Sequence, residues 1–147
     1  MKTVQFILNT KGREVWTITP EASVFQALQL MAEKDVGALP VVEGGRVVGM
    51  ISERDYARRI ILIGRSSKET PVRKIMSHNV VWAEPHHSVD QCMALMTARR
   101  VRHLPILEDG RLTGLVSIGD LVSTIISEQG DVIRRLENHI METAGLS

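Results

Sequence analysis

Cysteine is almost missing from this chain: Cys92 is the one thiol in 147 residues. A single cysteine excludes an internal disulfide framework and a Cys-x-x-Cys zinc site. Charge of one sign is lacking too. Lys and Arg together number 18 against 17 Asp and Glu, a net +1, which removes the broad field of a non-specific nucleic-acid binder. No apolar run approaches the roughly 18 residues needed to cross a bilayer. The opening stretch from Met1 to Leu8 is too short in apolar residues for a secretory signal. The expected address is therefore cytoplasmic, off the membrane, with no nucleic acid expected as a partner. What is present is ordinary for a folded domain, 44% hydrophobic and 24% charged. The length suits about one domain and can bury roughly 70% of the unfolded surface.

An internal repeat sets the architecture. A shift of 65 residues lays Pro20 on Pro85, Ser23 on Ser88, Leu39-Pro40 on Leu104-Pro105, Gly49 on Gly114, Ser52 on Ser117 and Asp55 on Asp120. Over Pro20–Ile61 against Pro85–Ile126, 17 of 42 positions are identical without a gap, far above chance. The chain is two copies of one supersecondary unit. In each, a Ser-x-x-Gln capping box (Ser23–Gln26, Ser88–Gln91) opens a helix, predicted to end near Asp35 and Arg100. Val24, Leu28 and Met31, and likewise Val89, Met93 and Met96, follow at helical spacing. Two β-rich runs come next, Leu39–Glu43 and Arg46–Ile51, then Leu104–Glu108 and Arg111–Val116. Gly44-Gly45 and Asp109-Gly110 between them read as tight hairpin turns. A second helix opens at Ser52 and Ser117 and is predicted to run to about Ile63 and Ser127. Val15–Ile18 and Val80–Ala83 are expected to add a strand ahead of each unit. Gly64–Thr70 is a polar linker, Pro71–Met76 a short helical turn, and the tail from Glu128 an amphipathic helix through Val132, Ile133, Leu136 and Ile140.

Chemistry is concentrated in few places. The two Ser-x-x-Asp segments, Ser52–Asp55 and Ser117–Asp120, are helix caps by pattern. The same physics makes an anion site: a helix start offers free N–H groups and a hydroxyl, and a carboxylate beside it accepts from a vicinal diol such as ribose. Arg99 and Arg100 suit a helix C-terminus. Arg102 and His103 lie beyond that helix at a strand start, where a guanidinium fork suits phosphate oxygens. The first copy has small residues there, Gly37 and Ala38, leaving room for a flat ring, so two unequal sites are expected. Other candidates reduce to structure. Gly44–Gly49 superficially resembles a dinucleotide fingerprint but joins two strands. His86 and His87, with His78, read as a solvated cap and not a metal site. Cys92, Met31, Met93 and Met96 read as core. No catalytic constellation emerges from spacing.

Taken together, Val72-x-x-Ile75-Met76, Val36–Val42 with its partner Val101–Leu107, and Gly49–Asp55 with Gly114–Asp120 resemble a tandem pair of CBS domains, the two-repeat unit called a Bateman module. The resemblance covers residues 3–127. It implies an α+β fold of two βαββα units, residues 1–66 and 67–127, related by a pseudo-two-fold axis and packed sheet to sheet, with residues 128–147 as a C-terminal helix. It further implies clefts between the units for adenosine-containing ligands: AMP, ADP, ATP or NAD(H), with S-adenosylmethionine ranked behind them. On that resemblance Asp55 and Asp120 hold ribose, and Ser52, Arg54, Ser117, Arg102 and His103 face phosphate. Leu8, Val36, Gly37, Ala38, Met76 and Val101 then line the adenine pocket. Val4–Leu8 is read as the entry of the first copy, with Leu8 where the pattern has Met, and Arg54 against Gly119 should make the Asp55 cleft the more basic. The reading is a non-catalytic sensor acting through a homodimer or a regulated partner protein. A nucleotide-acting enzyme, or an adaptor binding RNA weakly through Arg99–Arg102, are its rivals.

Overall fold

A computed structural model describes residues 2–143; Met1 and residues 144–147, the end of the expected 128–147 segment, lie outside the described residues. A helix absent from the sequence expectations opens the chain, α1 (Val4–Lys11), capped by Thr3. The repeated elements follow where periodicity placed them. Helix α2 (Val24–Lys34) and helix α4 (Val89–Arg99) each begin at a complete capping box and end at a left-handed residue, Asp35 and Arg100. Each is followed by an antiparallel hairpin: β1 (Ala38–Glu43) with β2 (Arg46–Ser52), and β3 (His103–Glu108) with β4 (Arg111–Ser117). Both turn residues have positive φ in each hairpin, Gly44 and Gly45 in one, Asp109 and Gly110 in the other, the geometry a tight two-residue turn demands. Register and bulge match between the copies, with Ala38 opposite Ser52 and His103 opposite Ser117.

Three expectations need correction. The added strands at Val15–Ile18 and Val80–Ala83 shrink to one parallel bridge each, Ile18 to Val41 and Ala83 to Ile106. The chain turns away directly afterwards at Pro20 and Pro85, which have no N–H to continue a ladder. The helix after Ser52 is α3 (Glu53–Tyr56), prolonged by a wider π turn over Ala57–Ile61 and not by regular helix to Ile63. The helix after Ser117 does not stop at Ser127. It is α5 (Ile118–Thr143), 26 residues without a break, because no proline interrupts it and a lone Gly130 is tolerated.

Each repeat's core takes in a segment that lies outside its own helix–hairpin unit. Val4, Ile7 and Leu8 of α1 are 0%, 4% and 1% exposed and belong to the core of the second repeat, with Val89, Met96, Leu104, Val116 and Leu121. Val72, Ile75 and Met76, in and after the 3₁₀ turn Val72–Lys74, belong to the core of the first repeat, with Val24, Met31, Leu39 and Ile51. The two attachments use matching backbone bonds. Val4 N–H donates to His87 O and Gln5 N–H to Pro85 O, as Val72 N–H donates to Ala22 O and Arg73 N–H to Pro20 O. Leu8 is therefore an entry to the second repeat and not to the first: only the second core offers its apolar side chain a place beside Gly114, where a glycine leaves the room. Strands β2 and β4 face one another between the repeats. Beyond Glu128, whose carboxylate accepts the Lys2 N–H, α5 leaves the body. Ile133, Leu136 and Ile140 there are more than half exposed.

Candidate functional site

Each Ser-x-x-Asp segment folds as a helix cap at the end of an inner strand. Ser52 Oγ accepts the Asp55 N–H at 3.2 Å, and Asp55 Oδ2 accepts from the Ser52 N–H and hydroxyl, both at 3.0 Å. In the second repeat Ser117 Oγ accepts the Asp120 N–H at 3.1 Å and Asp120 Oδ2 accepts the Ser117 N–H at 2.8 Å. The residue two before each Leu-Pro closes the cap: Gly37 O accepts the Glu53 N–H and Arg102 O the Ile118 N–H. Gly37-Ala38 and Arg102-His103 thus lie beside the motif of their own repeat. One side chain spans the two. The His103 ring reaches the first repeat, and a Cβ added at Gly37 would stand 3.6 Å from its Cε1 and Nε2.

The two carboxylates differ in their surroundings. Lys11 Nζ lies 2.8 Å from Asp120 Oδ2 and donates also to the Leu115 carbonyl at 3.0 Å. Burial pushes the Asp120 carboxyl up, but the Lys11 bond and charge and the Ser117 hydrogen bonds outweigh it and hold it below the usual carboxylate range. Burial lowers the His103 pKa, with the Asp120 charge opposing and Lys11 and Arg102 adding to the effect. Among the described residues no cation pairs with Asp55; Arg54 beside it is exposed. Lys11 is a member of this cluster that sequence reasoning missed. No local pattern marks it, because α1 comes to Asp120 from 109 positions away.

The expected adenine-pocket residues divide into walls and rims. Leu8 packs on Gly114 and Met76 on Gly49, both side chains nearly fully buried in the cores. Val36 and Val101 are half-buried and tied to their helix ends, donating to Met31 O and Met96 O. Elsewhere, His86, His87 and Glu84 bring side-chain ligand atoms within 4.8 Å of one another, while His78 is not among them. His87 Nδ1 already accepts the Glu84 N–H at 2.9 Å. With the His87 N–H donating to the Glu84 carbonyl at 3.1 Å, that bond closes the Glu84–His87 turn. A cavity of about 340 Å³ beside it is lined by Glu84, His86, Glu108 and Asp109, and one of about 380 Å³ by Val80, Trp82, Leu95 and Arg99. Neither touches a Ser-x-x-Asp motif. No described helix is long and apolar enough to cross a membrane.

Comparison with known proteins follows the same two-part division. The CBS domain family model matches residues 10–62 and again 72–127. The CBS domain-containing protein CBSX3, mitochondrial, of Arabidopsis thaliana is 37% identical, over 94% of this chain and 71% of its own. A protein with CBS domains from Burkholderia ambifaria MC40-6 is 51% identical, covering 87% of this chain and 96% of its own, and superposes with a TM-score of 0.84. The CBS domain pair of protein MJ0100, in complex with 5′-methylthioadenosine and S-adenosyl-L-methionine, shares the fold at 22% identity and a TM-score of 0.72 over 88% and 98% of the two chains. With both repeats matched, the first match ending just past the π turn and the second within α5, the chain belongs to the CBS-domain family as a tandem pair.

Proposed function

We propose that this CBS pair is a regulatory adenine-nucleotide sensor, without catalytic activity, that binds AMP, ADP, ATP or NAD(H) between its repeats. The observation that carries the reading is the recurrence of one device at two places: a strand ending in a serine-capped helix start with a carboxylate folded back on it. A helix start presents N–H donors to anions, and a carboxylate accepts from neighbouring ribose hydroxyls. Asp55 and Asp120 would hold ribose. Ser52, Arg54, Ser117, Arg102 and His103 would face phosphate, and Leu8, Val36, Gly37, Ala38, Met76 and Val101 would border the adenine. The adenosine compounds bound by the MJ0100 pair support the ligand class. The working form in this reading is a cytoplasmic homodimer that joins along the exposed face of α5 and passes its signal through that interface or to a regulated partner protein. Ligand acts by its unequal affinity for two arrangements of the repeats or subunits.

A thermal-shift screen of AMP, ADP, ATP, NAD, NADH and S-adenosylmethionine tests the proposal. A true ligand at 100 times its Kd stabilises by about 2.7 kcal/mol. The rise in Tm should be lost on Asp55→Ala, Asp120→Ala or both, according to which cleft is filled. A response unchanged in both variants overturns the site. Steady turnover of a nucleotide by the purified protein overturns the non-catalytic reading.

A further inference from the structure

The Lys11–Asp120 pair gives the second cleft a property the first does not share. In the register that pairs Val4 with Val72, the counterpart of Lys11 is Asn79, which has no charge. The Lys11 ammonium rests on the one carboxylate oxygen that also receives the Ser117 N–H, its side chain 39% and that of Asp120 25% exposed. Arg102 and His103 complete the surroundings, close enough that the charges of Lys11, Arg102 and Asp120 all act on the imidazole. Basic groups outnumber the single carboxylate.

We propose that Lys11 makes the second cleft selective for 5′-phosphorylated adenine nucleosides, moving from Asp120 to the ligand's phosphate as the ribose takes its place on the carboxylate. This rests on the adenosine reading above and narrows its ligand. An uncharged nucleoside reaching Asp120 brings its ribose hydroxyls to the carboxylate but gives the displaced ammonium no new anion. A phosphate gives that ammonium a second anion, through a charge-assisted hydrogen bond stronger than a neutral one. A sulfonium such as S-adenosylmethionine adds positive charge to a cleft that already has a surplus, and is disfavoured. At Asp55, where no ammonium rests, discrimination by phosphate should be weaker.

The test is calorimetric titration of the full chain with AMP, adenosine and S-adenosylmethionine, in the Asp55→Ala background so that only the second cleft is read, for Lys11, Lys11→Met and Lys11→Arg. Lys11 should favour AMP over adenosine by roughly tenfold, since both ligands break the ion pair and only AMP gains the contact between ammonium and phosphate. Lys11→Met should bind AMP roughly tenfold more weakly and adenosine no more weakly than before, while Lys11→Arg keeps the preference. An equal loss for both ligands in Lys11→Met would mean that the lysine only holds α1 in place, and would overturn the inference while leaving the adenosine site standing. Binding of no adenosine compound by any form overturns both.

Discussion

At the scale of single residues, Gly49 and Gly114 occupy matching positions, yet they are not equally intolerant of a side chain. A Cβ at Gly49 would stand 2.6 Å from Met76 Sδ and 2.8 Å from the Ser77 carbonyl oxygen. At Gly114 the near atoms are all from the Leu8 side chain, the nearest Cδ2 at 2.6 Å. A leucine can change rotamer, whereas a carbonyl paired with Met50 cannot leave without breaking two hydrogen bonds. Gly49→Ala should therefore lower stability by about 1–3 kcal/mol, as overpacking does, and Gly114→Ala by clearly less. Urea denaturation of the two variants measures the difference, and equal losses would contradict the packing argument. Residues whose partners are local were legible in the sequence: Ser52, Asp55, Ser117 and Asp120 act within a four-residue cap whose spacing is its signature. Lys11 was not, since a charge acquires meaning only from what folding brings to it. Cys92 fits the core role read for it, buried against its neighbours with its thiol pushed up to about 11 by that burial.

Among the elements, α5 departs furthest from expectation and carries the most exposed apolar surface. Leu121 and Ile125 face the second core, while Val122, Ile126, Ile133, Leu136 and Ile140 lie on the other side and in the free part, 40–64% exposed. With Gln129 between them, these positions follow alternating steps of four and three, the seam of a coiled coil. An isolated helix of the length beyond Glu128 is marginal in water, so a second copy of the seam is the natural cover. Sedimentation should find the wild type dimeric, and the double substitution Leu136→Glu with Ile140→Glu should weaken association at least tenfold without unfolding the repeats. An unchanged dimer would move the interface elsewhere. The stripe was legible from periodicity. Its continuity with the preceding helix was not, because Ser127-Glu128 and Gly130 look like a boundary until the uninterrupted backbone is seen.

For the whole molecule, the shift of 65 residues revealed the two hairpin-and-helix units, and most of the fold follows from them. Which end segment serves which unit was hidden, because α1 and the Pro71–Met76 turn match each other at a shift of 68 and differ in secondary structure. Deleting residues 2–11 removes Val4, Ile7 and Leu8, each worth about 1.5–3 kcal/mol when buried, from the second core alone. Hydrogen exchange should then accelerate through α4, β3 and β4 while α2, β1 and β2 keep their protection. Loss confined to the first repeat would refute the crossed packing.

That crossing also sets an order of events during synthesis. The first repeat has every part it needs once residue 77 has emerged from the ribosome. Val4, Ile7 and Leu8 must wait, apolar and unsheltered, until β4 has been made. A nascent chain of this design leaves α1 without its core while β1 to β4 are being made, and any factor that shields emerging hydrophobic segments would meet it there.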